Sequence, residues 1–153
     1  MSMDDLLELF PELRDCDGTV ALRAGVMEGA KNIDTGEPVA PYAAANEFGT
    51  SRIPTRKFLR STVDAKKDEW SDYLGRAIAN GVKPRQAVEL TGERMVSDVQ
   101  ATIASNMPPA NAPSTIRRKL RQEDKGGGLM HAGTLIDTGS LLRSIAFEME
   151  GKE

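Results

Sequence analysis

Apolar residues recur at every second position in two short stretches, one towards each end of the chain. The first stretch contains Val20, Leu22, Ala24 and Val26, and the second contains Ile145, Phe147 and Met149 after Arg143. A period of two is typical of a β-strand that buries one of its faces. The pattern predicts two strands, and we expect residues 19–27 to pair with residues 143–149 in an antiparallel sheet.

Two longer stretches between them have the spacing of helices. Their apolar positions are Val63, Trp70, Leu74 and Ile78 in the first stretch and Val88, Met95, Val99 and Ile103 in the second. Residues at these separations share one face of a helix, which predicts two amphipathic helices. Asn80 and Gly81 are expected to end the first helix, and Pro84 to begin the second. The fold class predicted is α+β, with a small antiparallel sheet packed by two amphipathic helices.

Long loops surround this predicted scaffold within a single domain of residues 1–153. Residues 1–18 are expected to form an N-terminal helix and arm, and residues 28–38 an exposed loop. Residues 107–135 contain prolines, a run of three glycines and few apolar positions, which predicts a long flexible loop. Only Ser114 to Arg121 is expected to be helical there, with Ser114 as its cap.

The connector from Tyr42 to Leu59 organises the chain. Residues 41–47 favour a short helix, which Gly49 ends because glycine tolerates the left-handed conformation. Pro54 then keeps the preceding residue extended, so a loop follows. This loop interleaves apolar side chains with basic ones, and we expect the apolar ones to anchor it while the basic ones point to solvent. The apolar residues are Phe48, Ile53, Phe58 and Leu59, and the basic ones are Arg52, Arg56, Lys57 and Arg60.

Three blocks of residues carry a resemblance to a known family. They are Glu47–Arg60, with the stretches EFGT, IPTR and FLR, then Pro108–Ile116, and then Leu135–Ile145, with the stretch LIDTGSLLRSI. In order and spacing the blocks resemble those of phage tail-component proteins, which lie at the head-to-tail connection of long-tailed phages. Lys57 is a departure, because many members of that family have proline there.

The resemblance implies a non-enzymatic structural virion protein that joins the tail to the capsid, as a tail-completion or neck ring subunit. A tail terminator that caps the tail tube is the alternative within the same class. The expected partners are copies of the chain itself in a ring of six, other connector and tail tube proteins, and genomic DNA in the lumen without sequence readout. Assembly in the host cytoplasm and residence in the virion follow, with no cofactor and no membrane.

Two sets of residues are predicted to matter for this role. The predicted subunit interface comprises Glu47, Phe48, Arg52, Arg56, Phe58, Arg60, Arg117, Arg118 and Arg121. The predicted structural motif comprises Tyr42, Gly49, Pro54, Asp137, Thr138, Gly139, Leu142 and Ile145. Asp137 is expected to cap a helical turn over Ser140–Arg143, because its side chain can accept bonds from free N–H groups.

Charge and cysteine content narrow the function classes. The net charge of −3 and the isoelectric point near 5.3 argue against broad adhesion to nucleic acid. The local basic run from Arg117 to Lys125 keeps a nucleic-acid-binding accessory protein open as an alternative. Cys16 is the single cysteine, and no apolar run has the length of a membrane span, so we expect a reducing cytosol.

Enzymatic alternatives rest on few residues. Asp-Thr-Gly occurs at residues 34–36 and 137–139, and aspartic proteases use such tripeptides to bring two carboxylates together. The first copy lies in a polar stretch without a following apolar strand, which does not suit that geometry. Cys16 and His131 are too few to form a zinc site. The sequence therefore predicts no active site.

Overall fold

A computed structural model of the protein describes residues 20–123, 134–135 and 139–150. The described residues form five helices and one two-stranded antiparallel sheet, which confirms the α+β class. The predicted arm at residues 1–18 lies outside them, as do Cys16, His131, Asp137 and Thr138. In chain order the elements are β1 (Ala21–Val26), α1 (Val39–Phe48), α2 (Phe58–Ala79), α3 (Pro84–Ala104), α4 (Pro113–Glu123), α5 (Ser140–Arg143) and β2 (Ile145–Glu150).

The sheet joins the two ends of the described chain, as the alternating pattern predicted. Leu22 lies opposite Met149 and Val26 lies opposite Ile145. Phe147 faces α3, so Ile145 and Met149, each two positions away, share that face. β2 begins only at Ile145 because the residues before it form the helical turn α5.

The two long helices form successive layers over this sheet. α3 contacts both strands, and α2 packs along α3. Thr62 donates its hydroxyl to Thr102 Oγ1 at 2.6 Å, and Trp70 Nε1 donates to Asp98 Oδ2 at 2.7 Å. Trp70 is 6% exposed, which confirms the prediction that it belongs to the core. The predicted boundaries at Asn80, Gly81 and Pro84 are also confirmed.

Val63 is an exception, because it was predicted on the packed face of α2 and is instead 42% exposed. Thr62 occupies the packed position, where its hydroxyl oxygen lies 2.6 Å from both Phe58 O and Thr102 Oγ1. Thr62 is therefore the residue that α2 buries against α3, because its hydroxyl finds hydrogen-bond partners there, and Val63 lies on the exposed side. Periodicity alone favoured Val63 because it weighs hydrophobicity and ignores such bonds.

The centre of the core lies where α1, α3, α5 and β2 meet the start of α2. Phe58 and Ile103 are fully buried there, and Leu135 is 1% exposed. The whole cluster consists of Val39, Ala43, Phe58, Val99, Ile103, Leu135, Leu141 and Ile145. Residues far apart in sequence thus share one apolar centre, whose burial is the main stabilising term for a fold of this size.

Both predicted loops have local order where the structure describes them. The 28–38 loop is exposed as predicted, and it is closed by a bridge between Lys31 and Pro38 and by Asn32 Oδ1, which accepts the N–H of Asp34. Within the predicted 107–135 loop, α4 spans residues 113–123, while residues 124–133 lie outside the description. Ser114 lies in the first turn of α4 and is not its cap, because the helix begins at Pro113.

Replacing Gly92 with alanine should destabilise the fold. Gly92 faces the ring of Phe147, and an added Cβ would lie 2.6 Å from Phe147 Cγ. Such overpacking between α3 and β2 costs about 1–3 kcal/mol, which urea denaturation followed by circular dichroism measures.

Gly75→Ala is the matched control, because an added Cβ there meets no atom within 4 Å. Its position in an exposed helix should make the variant more stable by about 0.5–1 kcal/mol. Equal stability of Gly92→Ala and the native protein would contradict the close approach of α3 to β2.

Candidate functional site

The connector between α1 and α2 is fastened by the buried carboxylate of Glu47. Glu47 is 3% exposed, and its Oε2 accepts the N–H of Leu59 at 2.9 Å while Oε1 accepts the N–H of Arg60 at 3.1 Å. These N–H groups belong to the first turn of α2, where no intrahelical acceptor exists. Lys57, the residue before the helix, provides no side-chain cap. Glu47 therefore caps α2 from a neighbouring helix and places a negative charge at its positive end.

The side chain of Arg60, in the first turn of α2, binds Glu47 in return. Its Nε donates to Glu47 Oε1 at 2.8 Å, and its Nη2 donates to Glu47 O at 2.8 Å. The guanidinium also lies 4.8 Å from the centre of the Phe48 ring. Phe48 itself is 67% exposed, so the prediction that it anchors the loop is wrong. Phe48 is the last residue of α1, and its exposed ring packs against the Arg60 guanidinium.

Arg56 is the connector's second attachment point. Its Nε and Nη2 donate to Pro109 O at 3.0 and 2.8 Å, and Nη2 also donates to Ala110 O at 3.3 Å. A weaker contact of 3.4 Å joins Nη2 to Asn111 Oδ1. The planar guanidinium suits several acceptors that lie side by side. Arg56 thus holds the 109–111 segment against the end of α1.

The prediction that the arginines of this loop point to solvent is therefore wrong for Arg56, which is 5% exposed. Glu47 and Phe58 are buried as well, so all three side chains of the predicted interface set are largely inaccessible from outside the protomer. Glu47 and Arg56 form hydrogen bonds within the protomer, and Phe58 packs in its core. Arg52 remains exposed, and Arg60 is half-exposed, as an interface residue requires.

Asn46 is a site residue that sequence analysis missed. It is 2% exposed, its Nδ2 donates to Tyr42 O at 2.9 Å, and its backbone O accepts the N–H of Arg56 at 2.6 Å. Asn46 thereby ties α1 to the loop that follows. A signal was present, because asparagine is unfavourable inside a helix unless its side chain finds a specific partner.

The remaining motif residues lie at the turns that shape the connector. Gly49 ends α1 with a φ of 77°, as predicted, and a side chain there would collide with Thr55. Pro54 is exposed beside it, and Tyr42 is 41% exposed on α1. In the second motif block, Gly139 has a φ of 75° and precedes α5. Leu142 packs against the core, and Ile145 belongs to it.

The predicted cap of α5 by Asp137 lies outside the described residues, but the helical turn Ser140–Arg143 is confirmed. Ser140 Oγ accepts the N–H of Ile33 at 3.1 Å, and Gln100 Nε2 donates to Leu142 O at 3.1 Å. α5 therefore connects the 28–38 loop with α3.

A basic cleft of about 380 Å³ separates α1 from α4. Its lining includes Arg52, Arg56, Arg118 and Lys119, and none of the described lining residues is Asp or Glu. A second cleft of about 320 Å³ shares Tyr42 and Arg118 with it. Arg118 and Lys119 each have an interaction partner, and Lys119 is 4% exposed. Arg117 and Arg121 lie outside this cleft on the exposed side of α4.

The described residues bring together no group of three or more His, Cys, Asp and Glu that could hold a metal ion. Asp34 of the first Asp-Thr-Gly copy is exposed in a turn organised by Asn32, and the second copy falls largely outside the description. Within the described ranges no helix combines the length and apolarity of a membrane span.

Comparisons with protein-family models, curated proteins and solved structures found no match to this chain. The resemblance to phage tail-component proteins thus rests on the three sequence blocks. In the folded chain these blocks touch one another, because Arg56 of the first block binds Pro109 and Ala110 of the middle one. Phe58 of the first block shares the core cluster with Leu135 and Ile145 of the last one.

Replacing Glu47 should weaken the start of α2. We expect Glu47→Ala to lower the free energy of unfolding by about 2–3 kcal/mol, because two backbone N–H groups and Arg60 lose their acceptor. Glu47→Gln keeps one acceptor oxygen and should lose less. Urea denaturation measures the difference, with Glu89→Gln, on the exposed side of α3, as control. Similar midpoints for Glu47→Ala and the control would contradict the cap.

A second change tests the clasp formed by Arg56. Arg56→Lys keeps the charge but has one donor group where the guanidinium has a fork, so it should lose about 1–2 kcal/mol of stability. The exposed Arg52→Lys is the matched control and should stay within about 0.5 kcal/mol of the native protein. Hydrogen exchange of residues 110–112 should also quicken in Arg56→Lys alone. Unchanged exchange would show that Arg56 does not hold this segment.

Proposed function

We propose that the protein is a non-enzymatic structural subunit of the head-to-tail connection of a long-tailed phage. In this role it forms a tail-completion or neck ring with copies of itself and joins the tail to the capsid. The virion is its final location under this proposal. The three sequence blocks that resemble phage tail-component proteins carry the proposal. Their contact in the folded chain supports it, because the three blocks then act as one structural unit.

The surface of the protomer supports an assembly role. Phe48 and Ile33 are 67% and 62% exposed, and Leu120 is 51% exposed. In the proposed ring, neighbouring copies would cover these side chains. Of the interface residues predicted from sequence, six keep exposed side chains in the protomer and remain proposed contacts: Phe48, Arg52, Arg60, Arg117, Arg118 and Arg121.

Burial changes how this role can be probed by mutation. A charge reversal at Arg56 would break its bonds to the 109–111 segment, so lost assembly could not be separated from lost folding. Exposed positions on α2 and α4 are better targets, because their side chains do not hold the fold together. A change there can reduce assembly without unfolding the protomer.

Removing the protein from a phage that encodes it should leave filled capsids and free tails unjoined, as counted by negative-stain electron microscopy. Purified native protein added to such an extract should restore joined particles, because a missing ring subunit is supplied from solution. Buffer alone is the control. Infectious, joined particles formed in the complete absence of the protein would refute the proposed role.

A further inference from the structure

The outward face of α4 carries an apolar pair beside a basic pair. Ile116 and Leu120 are 43% and 51% exposed and lie one turn apart. Arg117 and Arg121 each follow by one residue, are exposed, and form no ion pair with a described residue. α4 contacts no other described helix or strand extensively, so this face is left uncovered in the protomer. Exposed apolar and unpaired basic side chains together suit contact with an acidic partner surface.

The outward face of α2 has the complementary arrangement. Asp68 and Asp72 lie one turn apart, are exposed, and form no ion pair with a described residue. Beside them lie Ser71 and Gly75, two small exposed residues. A Cβ at Gly75 would meet no atom within 4 Å, so the helix surface is open there. Glycine has no side chain and serine only a short one, so we infer a shallow depression there, next to the two carboxylates.

We propose that the outward face of α4 in one copy of the chain packs on the outward face of α2 in a second copy. Arg117 then pairs with Asp72, and Arg121 pairs with Asp68. Ile116 and Leu120 cover the depression at Ser71 and Gly75. This contact specifies the subunit interface of the ring and therefore rests on the proposed function.

The order of the residues around each helix fixes the direction of packing. Successive residues rotate by about 100° in an α-helix, so in α4 the arginines lie on one rotational side of the apolar pair. In α2 the aspartates lie on the same rotational side of the small pair. Two facing surfaces with the same sense match only when the helices run antiparallel. Both charged pairs have a four-residue spacing of about 6 Å, so they meet in register.

A second copy is the occupant that the charges favour. The acidic face and the basic face are different patches of one chain, and a contact between unlike patches repeats from copy to copy until a ring closes. Opposite charges at equal spacing also steer the approach and exclude a slipped register. Nucleic acid would use the arginines alone and leave the depression at Gly75 without a role.

Two charge-reversed chains test this contact. The first carries Arg117→Asp with Arg121→Asp, and the second carries Asp68→Arg with Asp72→Arg. Each alone faces like charges and should self-associate about tenfold more weakly or worse than the native chain in sedimentation velocity. An equal mixture of the two should regain association, because every α4 then meets an α2 of opposite charge. Failure of the mixture to do so would overturn the proposal.

Gly75→Gln tests the same contact without altering charge. The glutamine side chain would fill the depression, so self-association should fall about tenfold or more while thermal unfolding stays at or above that of the native chain. Gly75→Ala is the matched control and should associate nearly as the native chain does. Native association of Gly75→Gln would overturn the proposed packing.

Other outcomes distinguish the interface from the ring itself. If the native chain assembles and both charge-reversed chains assemble equally well, the ring stands and this interface is refuted. If the native chain stays monomeric up to about 1 mM and also fails to restore particles, both proposals fall. If reversal of Arg117 and Arg121 abolishes salt-dependent retention on DNA but leaves self-association intact, the face binds nucleic acid and the interface is likewise refuted.

Discussion

The structure depends on one buried carboxylate, that of Glu47, which accepts two backbone N–H groups in the first turn of α2, the longest helix among the described residues. Without it, two partly buried backbone N–H groups of α2 would lose their acceptor, and Arg60 would lose its ion pair. The cost of leaving such groups unpaired is larger than the gain from pairing them. Phe58, the first residue of α2, enters the core next to these bonds, so the cap also sets where the core begins.

Arg56 extends this connection to a distant part of the chain. Its bonds to Pro109 and Ala110 bring the segment after α3 beside the end of α1. α4 follows directly from that segment. The bonds of the buried Arg56 therefore help to position α4, and so they link the stability of the fold to one part of its surface.

The division of arginines into internal and external ones shapes the functional proposal. Arg56 is used within the protomer, Arg60 is shared between Glu47 and the exposed Phe48 ring, and Arg117 with Arg121 faces outwards. The last pair can carry a charge pattern to a neighbour without disturbing the fold, because both side chains are exposed and form no ion pair with a described residue. An acidic pair of equal spacing on α2 gives that pattern a counterpart in the same chain. A structural role in an assembly agrees with this arrangement.

The sequence alone determined the strands, the long helices, the helical part of 107–135 and the turn at Gly49, because periodicity and backbone preferences act over a few residues. It also indicated Trp70 as a core residue. Only the tertiary structure decided that Glu47 and Arg56 bind inside the protomer while Phe48 and Val63 face outwards. The local sequence around Glu47 or Arg56 is the same whether the side chain meets solvent, a neighbouring subunit or a helix end. Which of these occurs depends on the backbone N–H groups of residues 59–60 and the carbonyl groups of residues 109–110, which only folding brings next to Glu47 and Arg56.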